Sequence, residues 1–161
     1  TIVARTAGSV LVSAGAPSVG YTATPFSLPE GHYRLWYRAN NGAVDSKNAV
    51  GFTIDQKLSP AITLFGRYGS QSLPDDRDHY WSFGFGTSKG FIFNPDDSWG
   101  IGYAQMDLAS GDKERLTEGY YNLQMTERLR LSFSLQHVID TPSGATKFGY
   151  LLPGVRLQAA F

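Results

Sequence analysis

Hydrophobic and polar residues alternate along most of this chain, most sharply from Leu28 onward. His32–Asn40 sets Tyr33, Leu35, Tyr37 and Ala39 against His32, Arg34, Trp36, Arg38 and Asn40. Val50–Lys57 opposes Val50, Phe52 and Ile54 to Gly51, Thr53, Asp55 and Lys57. Ile62–Tyr68 opposes Ile62, Leu64, Gly66 and Tyr68 to Thr63, Phe65 and Arg67. The division recurs in His79–Ser88, Ser98–Asp107, Glu118–Met125 and Leu129–Ile139. In the closing stretch Pro153, Val155, Leu157, Ala159 and Phe161 interleave with Gly154, Arg156, Gln158 and Ala160. A period of two predicts strands with one apolar and one polar face, about eight of them from residue 31 onward. Residues 1–27 are less regular. Their runs Ser9–Ser13 and Val19–Thr24, broken by Gly15, Pro17 and Pro25, predict one or two short strands. No helical period persists.

The connections are unequal. Leu58–Pro60 and Thr126–Arg128 are tight turns, whereas Asn40–Asn48, Gly69–Asp78 and Asp140–Thr146 are longer and polar. Lys89–Asp97 breaks this scheme, and its Phe91-Ile92-Phe93 offers a strand extension. Short turns on one side and longer loops on the other are the habit of outer-membrane barrels, whose strands cross hydrocarbon in ~9–11 residues. Alternation does not say which face is inside. A soluble lipocalin-like barrel or sandwich turns its apolar face inward, and a membrane barrel turns it to lipid. Lipid is favoured by the unequal connections, by the aromatic character of the apolar face (Tyr33, Tyr37, Trp81, Trp99, Tyr103, Tyr121), and by Phe161 at the end of the last apolar row. A terminal aromatic there fits an interfacial girdle. The expected fold is an all-β antiparallel transmembrane β-barrel of about eight to ten strands. A self-contained small barrel, either a lipocalin-like binding protein or an eight-stranded membrane anchor, stays as the alternative.

Composition narrows the chemistry. Fourteen basic and 14 acidic residues leave no basic surface for nucleic acid. There are no cysteines, hence no disulfide framework and no thiolate ligand or nucleophile. Eighteen glycines and 14% aromatics suit many strands joined by tight turns. No apolar run approaches the ~20 residues of a membrane helix.

The ordered series GHYRLWYR, VGFTIDQKLSPAITLFGRYGSQ, WSFGFG, GIGYAQ, EGYYNLQMTERLRLSFSLQHV and GVRLQAAF resembles the C-terminal half of the carbohydrate-selective porins of the OprB family, over about residues 28–161. The resemblance implies a bacterial outer-membrane channel for passive diffusion of carbohydrates and other small solutes, usually of sixteen strands. It implies no enzyme activity and no cofactor. Its partners would be membrane lipid and lipopolysaccharide, small sugars as transported solutes, and the rest of its own barrel. Family chains are more than twice this long, so these strands would make half a barrel. Residues 1–26 match the family poorly.

In such a channel the polar-face residues become pore-lining candidates: Arg34, Trp36, Arg38, Asp55, Lys57, Arg67, Glu118, Asn122, Gln124, Arg130, Gln136 and Arg156. Guanidinium forks donate to sugar hydroxyls and an aromatic ring packs on the C–H face of a pyranose. Trp36 between Arg34 and Arg38 is the best such cluster; equally, a polar lining serves hydration in any wide barrel. His32, His79 and His137 lack ligand spacing, and no G-x-S-x-G occurs. Gly84, Gly86, Gly100 and Gly102, all on the polar face, suggest room for another polypeptide segment.

Overall fold

A computed structural model describes residues 8–13, 16–41, 46–73, 76–90, 93–142 and 146–160, with backbone only for 8–17, 40, 41, 46 and 47. It contains ten strands: β1 (Gly8–Ser13), β2 (Ala16–Ala23), β3 (Gly31–Asn41), β4 (Ser46–Lys57), β5 (Ile62–Ser72), β6 (Arg77–Thr87), β7 (Ser98–Asp107), β8 (Lys113–Thr126), β9 (Leu129–Thr141) and β10 (Phe148–Ala159). Both short runs of the N-terminal region are strands, and all eight later ones are present. Each strand pairs antiparallel with the next, in one sheet of order β1 to β10. Among the described residues β1 pairs only with β2 and β10 only with β9, so the sheet has two open edges. Phe161 lies outside the described residues.

The paired register keeps the two faces separate across the sheet. On the apolar face Val19 lies opposite Leu35, Leu35 opposite Phe52, Phe52 opposite Tyr68 and Tyr68 opposite Trp81. Farther along, Tyr121 faces Phe133 and Phe133 faces Val155. A straight row does not stay apolar, however. Continued from Trp81 it reaches Gln105 on β7 and Arg115 on β8. The apolar belt of β8–β10 is displaced toward the other end of the strands, on Leu123, Leu131 and Leu157. The belt thus steps by roughly one residue per strand, the stagger expected when tilted strands belong to a barrel wall.

The apolar face is the uncovered one. Leu35 is 54% exposed, Phe83 55% and Val155 71%, while Val138 is the only buried hydrophobic residue among those described. The polar face is more crowded. Along β5 the apolar Ile62, Leu64 and Tyr68 are exposed, but Thr63, Phe65 and Arg67 are half-buried. Along β9 Phe133 and Leu135 are exposed, but Ser132, Ser134 and Gln136 are half-buried. A single-layer sheet crowds side chains on its concave side and spreads them on its convex side. The polar face is therefore the inside of the curve. So large an exposed apolar surface requires a non-aqueous neighbour. Cross-strand aromatic contacts stiffen it: Trp81, Phe83 and Tyr103 lie with ring centroids 5.1–5.7 Å apart, and Phe85 meets Trp99 edge-on at 5.3 Å.

Two expectations need correction. The strands from β3 onward are 10 to 14 residues long, and the polar stretches expected as long loops are in part strand, most of all Gly69–Asp78 and least Asp140–Thr146. Ser70, Gln71 and Ser72 pair with His79, Asp78 and Arg77, and Gln105 and Asp107 pair with Arg115 and Lys113. Polar ladder beyond an apolar belt is stable in water, so a run of hydrophilic residues does not end a strand. The predicted asymmetry of connections shrinks accordingly, with only 73–76 left between β5 and β6. The second correction concerns Lys89–Asp97. Phe93 is not in a strand but in a loop, where its ring meets Tyr121 edge-on at 5.9 Å; Phe91 and Ile92 lie outside the described residues.

That loop is closed by Asp97, which is fully buried. Its carboxylate accepts from the Gln124 amide at 2.7 Å, the Tyr121 hydroxyl at 2.7 Å and the Asn94 amide at 3.0 Å, while Asn94 Nδ2 donates to the Gln124 carbonyl. β7 starts at Ser98 opposite Asn122, so Gln124 has outrun its partner strand. Asp97 and Asn94 supply the hydrogen bonds that a longer β7 would have made. Burial alone would raise the Asp97 carboxyl. The hydrogen bonds from Gln124, Tyr121 and Asn94 outweigh that and hold it below the ordinary carboxylate range.

Candidate pore-lining face

All twelve residues singled out from the sequence lie on the polar face, because each shares a paired row with another polar-face position. Arg34 is opposite Thr53 and Thr53 opposite Arg67; Trp36 is opposite Gly51; Asp55 is opposite Phe65; Lys57 is opposite Thr63. Arg38 faces Ala49. Glu118 faces Gln136, Asn122 faces Ser132, Gln124 faces Arg130, and Arg156 faces Ser132 from the other side.

They do not form one site. Arg34, Asp55 and Arg67 come together with His32, Thr22 and Thr53 around a depression of about 270 Å³ over β2–β5. Within it Arg67 is fixed: Nη2 lies 2.7 Å from Asp55 Oδ1, and Nη1 donates to the carbonyls of Ile54 at 2.9 Å and Gly66 at 3.0 Å. Its guanidinium also stands 5.4 Å from the Phe65 ring centroid. Trp36 borders this group one row away. A second cluster lies near the β8–β9 turn, where Arg130 Nε donates to Gln124 Oε1 at 2.9 Å and Asn122 Nδ2 to Ser98 Oγ at 2.9 Å. Arg38 and Lys57 stand at opposite ends of the β3–β4 ladder, apart from both clusters.

The glycines of this face serve a purpose other than the expected one. A Cβ on Gly84 would lie 2.6 Å from the tip of the Phe65 ring, and one on Gly102 3.0 Å from it. On Gly100 and Gly86 it would meet Tyr120 at 2.8 and 3.0 Å. At Gly51 the same space holds the Trp36 indole, which reaches on toward Gly69. Three aromatic side chains thus lie over glycines of neighbouring strands. The room suggested for another polypeptide segment is taken by Phe65 and Tyr120 of the wall itself. Strand parity located these glycines but could not locate the rings, since the lean of a side chain across strands depends on rotamer and twist. Gln56 was also missed. It is a buried polar residue on the apolar face that bonds Tyr33 Oη and donates to the carbonyls of Pro29 at 2.8 Å and Lys57 at 2.7 Å.

A staggered antiparallel sheet, with a bare apolar convex face and a concave face of arginines, carboxylates and amides, defines part of an outer-membrane β-barrel wall. The family model "Carbohydrate-selective porin, OprB family" matches residues 6–161. The chain belongs to that family, a family of channels and not of enzymes. The match begins at residue 6, so the N-terminal region that resembled the family poorly is part of it, as the pairing of β1 and β2 with the rest of the sheet agrees. No curated protein and no solved structure matches the chain significantly.

Proposed function

We propose that the concave polar face lines the aqueous path of a porin in the bacterial outer membrane, through which sugars and other small solutes diffuse passively, and that the β3–β5 cluster is where sugars touch the wall. The observation that carries this reading is the gathering of Arg34, Trp36, Asp55 and Arg67 on one patch of that face. Trp36 is half-buried over Gly51, a fixed ring of the kind that packs against a pyranose. Arg67 is held by Asp55, which also cancels its charge, whereas neither Arg34 nor Arg38 has a carboxylate within ion-pair distance among the described residues. Their donors suit hydroxyl groups. Their charge favours anions slightly, with Glu118 on the same face offsetting part of it. The two open edges are satisfied by further strands of the same barrel, because unpaired backbone is not tolerated in hydrocarbon.

The test is reconstitution of the full-length porin in planar bilayers. R34Q/R38Q shifts ion selectivity toward cations while the barrel stays folded, and W36A weakens the block of current by sugars. If neither measurement moves, β3 is ordinary wall and the solute is selected elsewhere.

A further inference from the structure

The polar face holds a second depression, over β5–β8, whose chemistry is the reverse of the first. It measures about 220 Å³, and Phe65, Tyr80, Ser82, Leu116, Glu118 and Tyr120 line it. The register explains its floor. Phe65, Gly84, Gly102 and Glu118 form one paired row across four strands. The two glycines leave the middle of that row without side chains. The Phe65 ring lies over both, so its tip ends on β7, the strand next to Glu118. In the adjoining row of this face Tyr120 leans the other way, over Gly100 and Gly86. Two rings thus pave the floor from opposite sides. Tyr120 is 39% exposed, and Tyr80 at the rim is 38% exposed.

Glu118 is half-buried beside these rings, and it has no ion-pair or hydrogen-bond partner among the described residues. Its neighbours in the row are Gly102 and the neutral Gln136. Arg67 stands 5.4 Å from the Phe65 ring centroid, but its charge is matched by Asp55 at 2.7 Å. The depression therefore carries one uncompensated negative charge, whereas the first carries the unpaired Arg34. It also lies behind the apolar belt: Gly84 falls between Phe83 and Phe85, and Gly102 between Ile101 and Tyr103, all turned to the other face. A low-dielectric wall behind a charge concentrates its field on the aqueous side. The negative faces of the rings add to the attraction for a cation. A metal ion wants several oxygen ligands, and no group of three metal-ligating side chains occurs among the described residues. Rings and a single carboxylate together match an organic cation with a flat C–H face.

We infer that this depression binds the ring of an amino sugar in its ammonium form. The inference rests on the reading of the polar face as the water path. The pyranose C–H face packs on Tyr120 and Phe65, and the ammonium donates to the Glu118 carboxylate. The Tyr80 and Ser82 hydroxyls stand at the side for the sugar's own hydroxyls. The volume suits one ring at a time, so the site is a way station along the wall. With Arg34 on β3 and Glu118 on β8, the same wall offers one contact to each sign of charged sugar.

The experiment reconstitutes the full-length porin in planar bilayers at about pH 6, where an amine is protonated, and reads the block of current by glucosamine, N-acetylglucosamine and glucose. Glucosamine blocks at the lowest concentration, because the other two lack the charge. E118Q raises its half-blocking concentration about tenfold, the scale of one charge-assisted hydrogen bond, and leaves glucose unchanged. E118D keeps the charge but withdraws it from the rings, and Y120L keeps the charge without the ring. Each weakens the glucosamine block while the selectivity for potassium over chloride stays at the parent's value. Equal block by glucosamine and glucose in the parent, or a preference that survives E118Q, overturns the site. A preference that is intact in both E118D and Y120L, and that falls in E118Q together with potassium selectivity, overturns it in favour of plain cation enrichment. E118C tests the reading beneath with an impermeant maleimide that enters the channel. No labelling overturns that reading, whereas labelling without a glucosamine preference in the parent overturns the site alone.

Discussion

The sharpest consequence of the wall's construction concerns Gly84. Its side-chain position points into the curve, where the Phe65 ring crosses β6 toward Gly102. An alanine Cβ there would meet the Ile101 carbonyl oxygen first, and would lie 2.6 Å from Phe65 Cζ and 2.7 Å from Gly102 Cα. The ring can swing away, but the other two contacts are backbone of the paired strand, and β6 and β7 would have to separate. Overpacking of this kind costs about 1–3 kcal/mol. Against it stands the ~0.5–1 kcal/mol gained when alanine replaces glycine in a strand. At the centre of both ranges the net loss for Gly84→Ala is about 1 kcal/mol. Gly119 is the internal control. It lies in β8, and a Cβ there meets nothing within 4 Å. Gly119→Ala is therefore neutral or gains up to ~1 kcal/mol. Phe65→Ala removes the ring but not the Gly102 contact, so the double variant F65A/G84A is destabilised by less than the sum of its parts. Urea titration of the refolded full-length barrel in lipid, followed by Trp fluorescence, measures all four variants. Gly84→Ala as stable as the parent, or Gly119→Ala the more damaging of the two, would refute the idea that these glycines exist to seat rings.

Two further predictions follow from the charged groups. The Asp97 carboxyl lies below its ordinary value of 3.8, so its contribution to the loop is complete above that pH and is lost as pH falls through the lowered value. Hydrogen exchange at the Gln124 amide, corrected for its intrinsic pH dependence, should stay slow near neutrality and rise only at strongly acid pH, and in D97A it should be fast throughout; equal protection in D97A and the parent would contradict the clamp. Asp55→Asn breaks a pair whose members are each about one-third exposed, so it should cost only ~0.5–1 kcal/mol in urea. Because Arg67 keeps its two carbonyl partners, the freed charge should make the channel more anion-selective in reversal-potential measurements; a loss of several kcal/mol or a shift toward cations would count against the assignment.

Much of this architecture was legible in the chain. A period of two marks strand parity, so every pore-lining candidate from Arg34 to Arg156 falls on one face once the strands pair in order. The strand ends were harder to read, because Ser70–Ser72 and Lys113–Arg115 look like loop but are ladder standing in water. Alternation alone did not give the side of the curve, being symmetric between a wet lumen and a wet exterior; the aromatic apolar face pointed to lipid outside, and the crowding of Thr63, Phe65 and Arg67 against exposed Ile62, Leu64 and Tyr68 agrees with it. Contacts that cross strands diagonally, such as Phe65 over Gly102 or Asp97 under Gln124, depend on rotamer and loop path and leave no periodic trace. Likewise, sequence spacing alone gave no sign that Arg34, Asp55 and Arg67 converge while Arg38 and Lys57 stand apart.

The central claim is that the polar face is wet and the apolar face meets lipid. β9 tests it most directly. The chain has no cysteine, so single cysteines can be placed at successive positions from Leu131 to Gln136 without background from this part of the protein. In the full-length porin reconstituted in lipid, a membrane-impermeant maleimide small enough to enter the channel should label positions 132, 134 and 136. A lipid-dissolved quencher should reach fluorophores at 131, 133 and 135 instead. The opposite alternation would put the apolar face inside, as in a soluble carrier, and equal labelling at all six positions would mean that β9 is not part of a membrane wall.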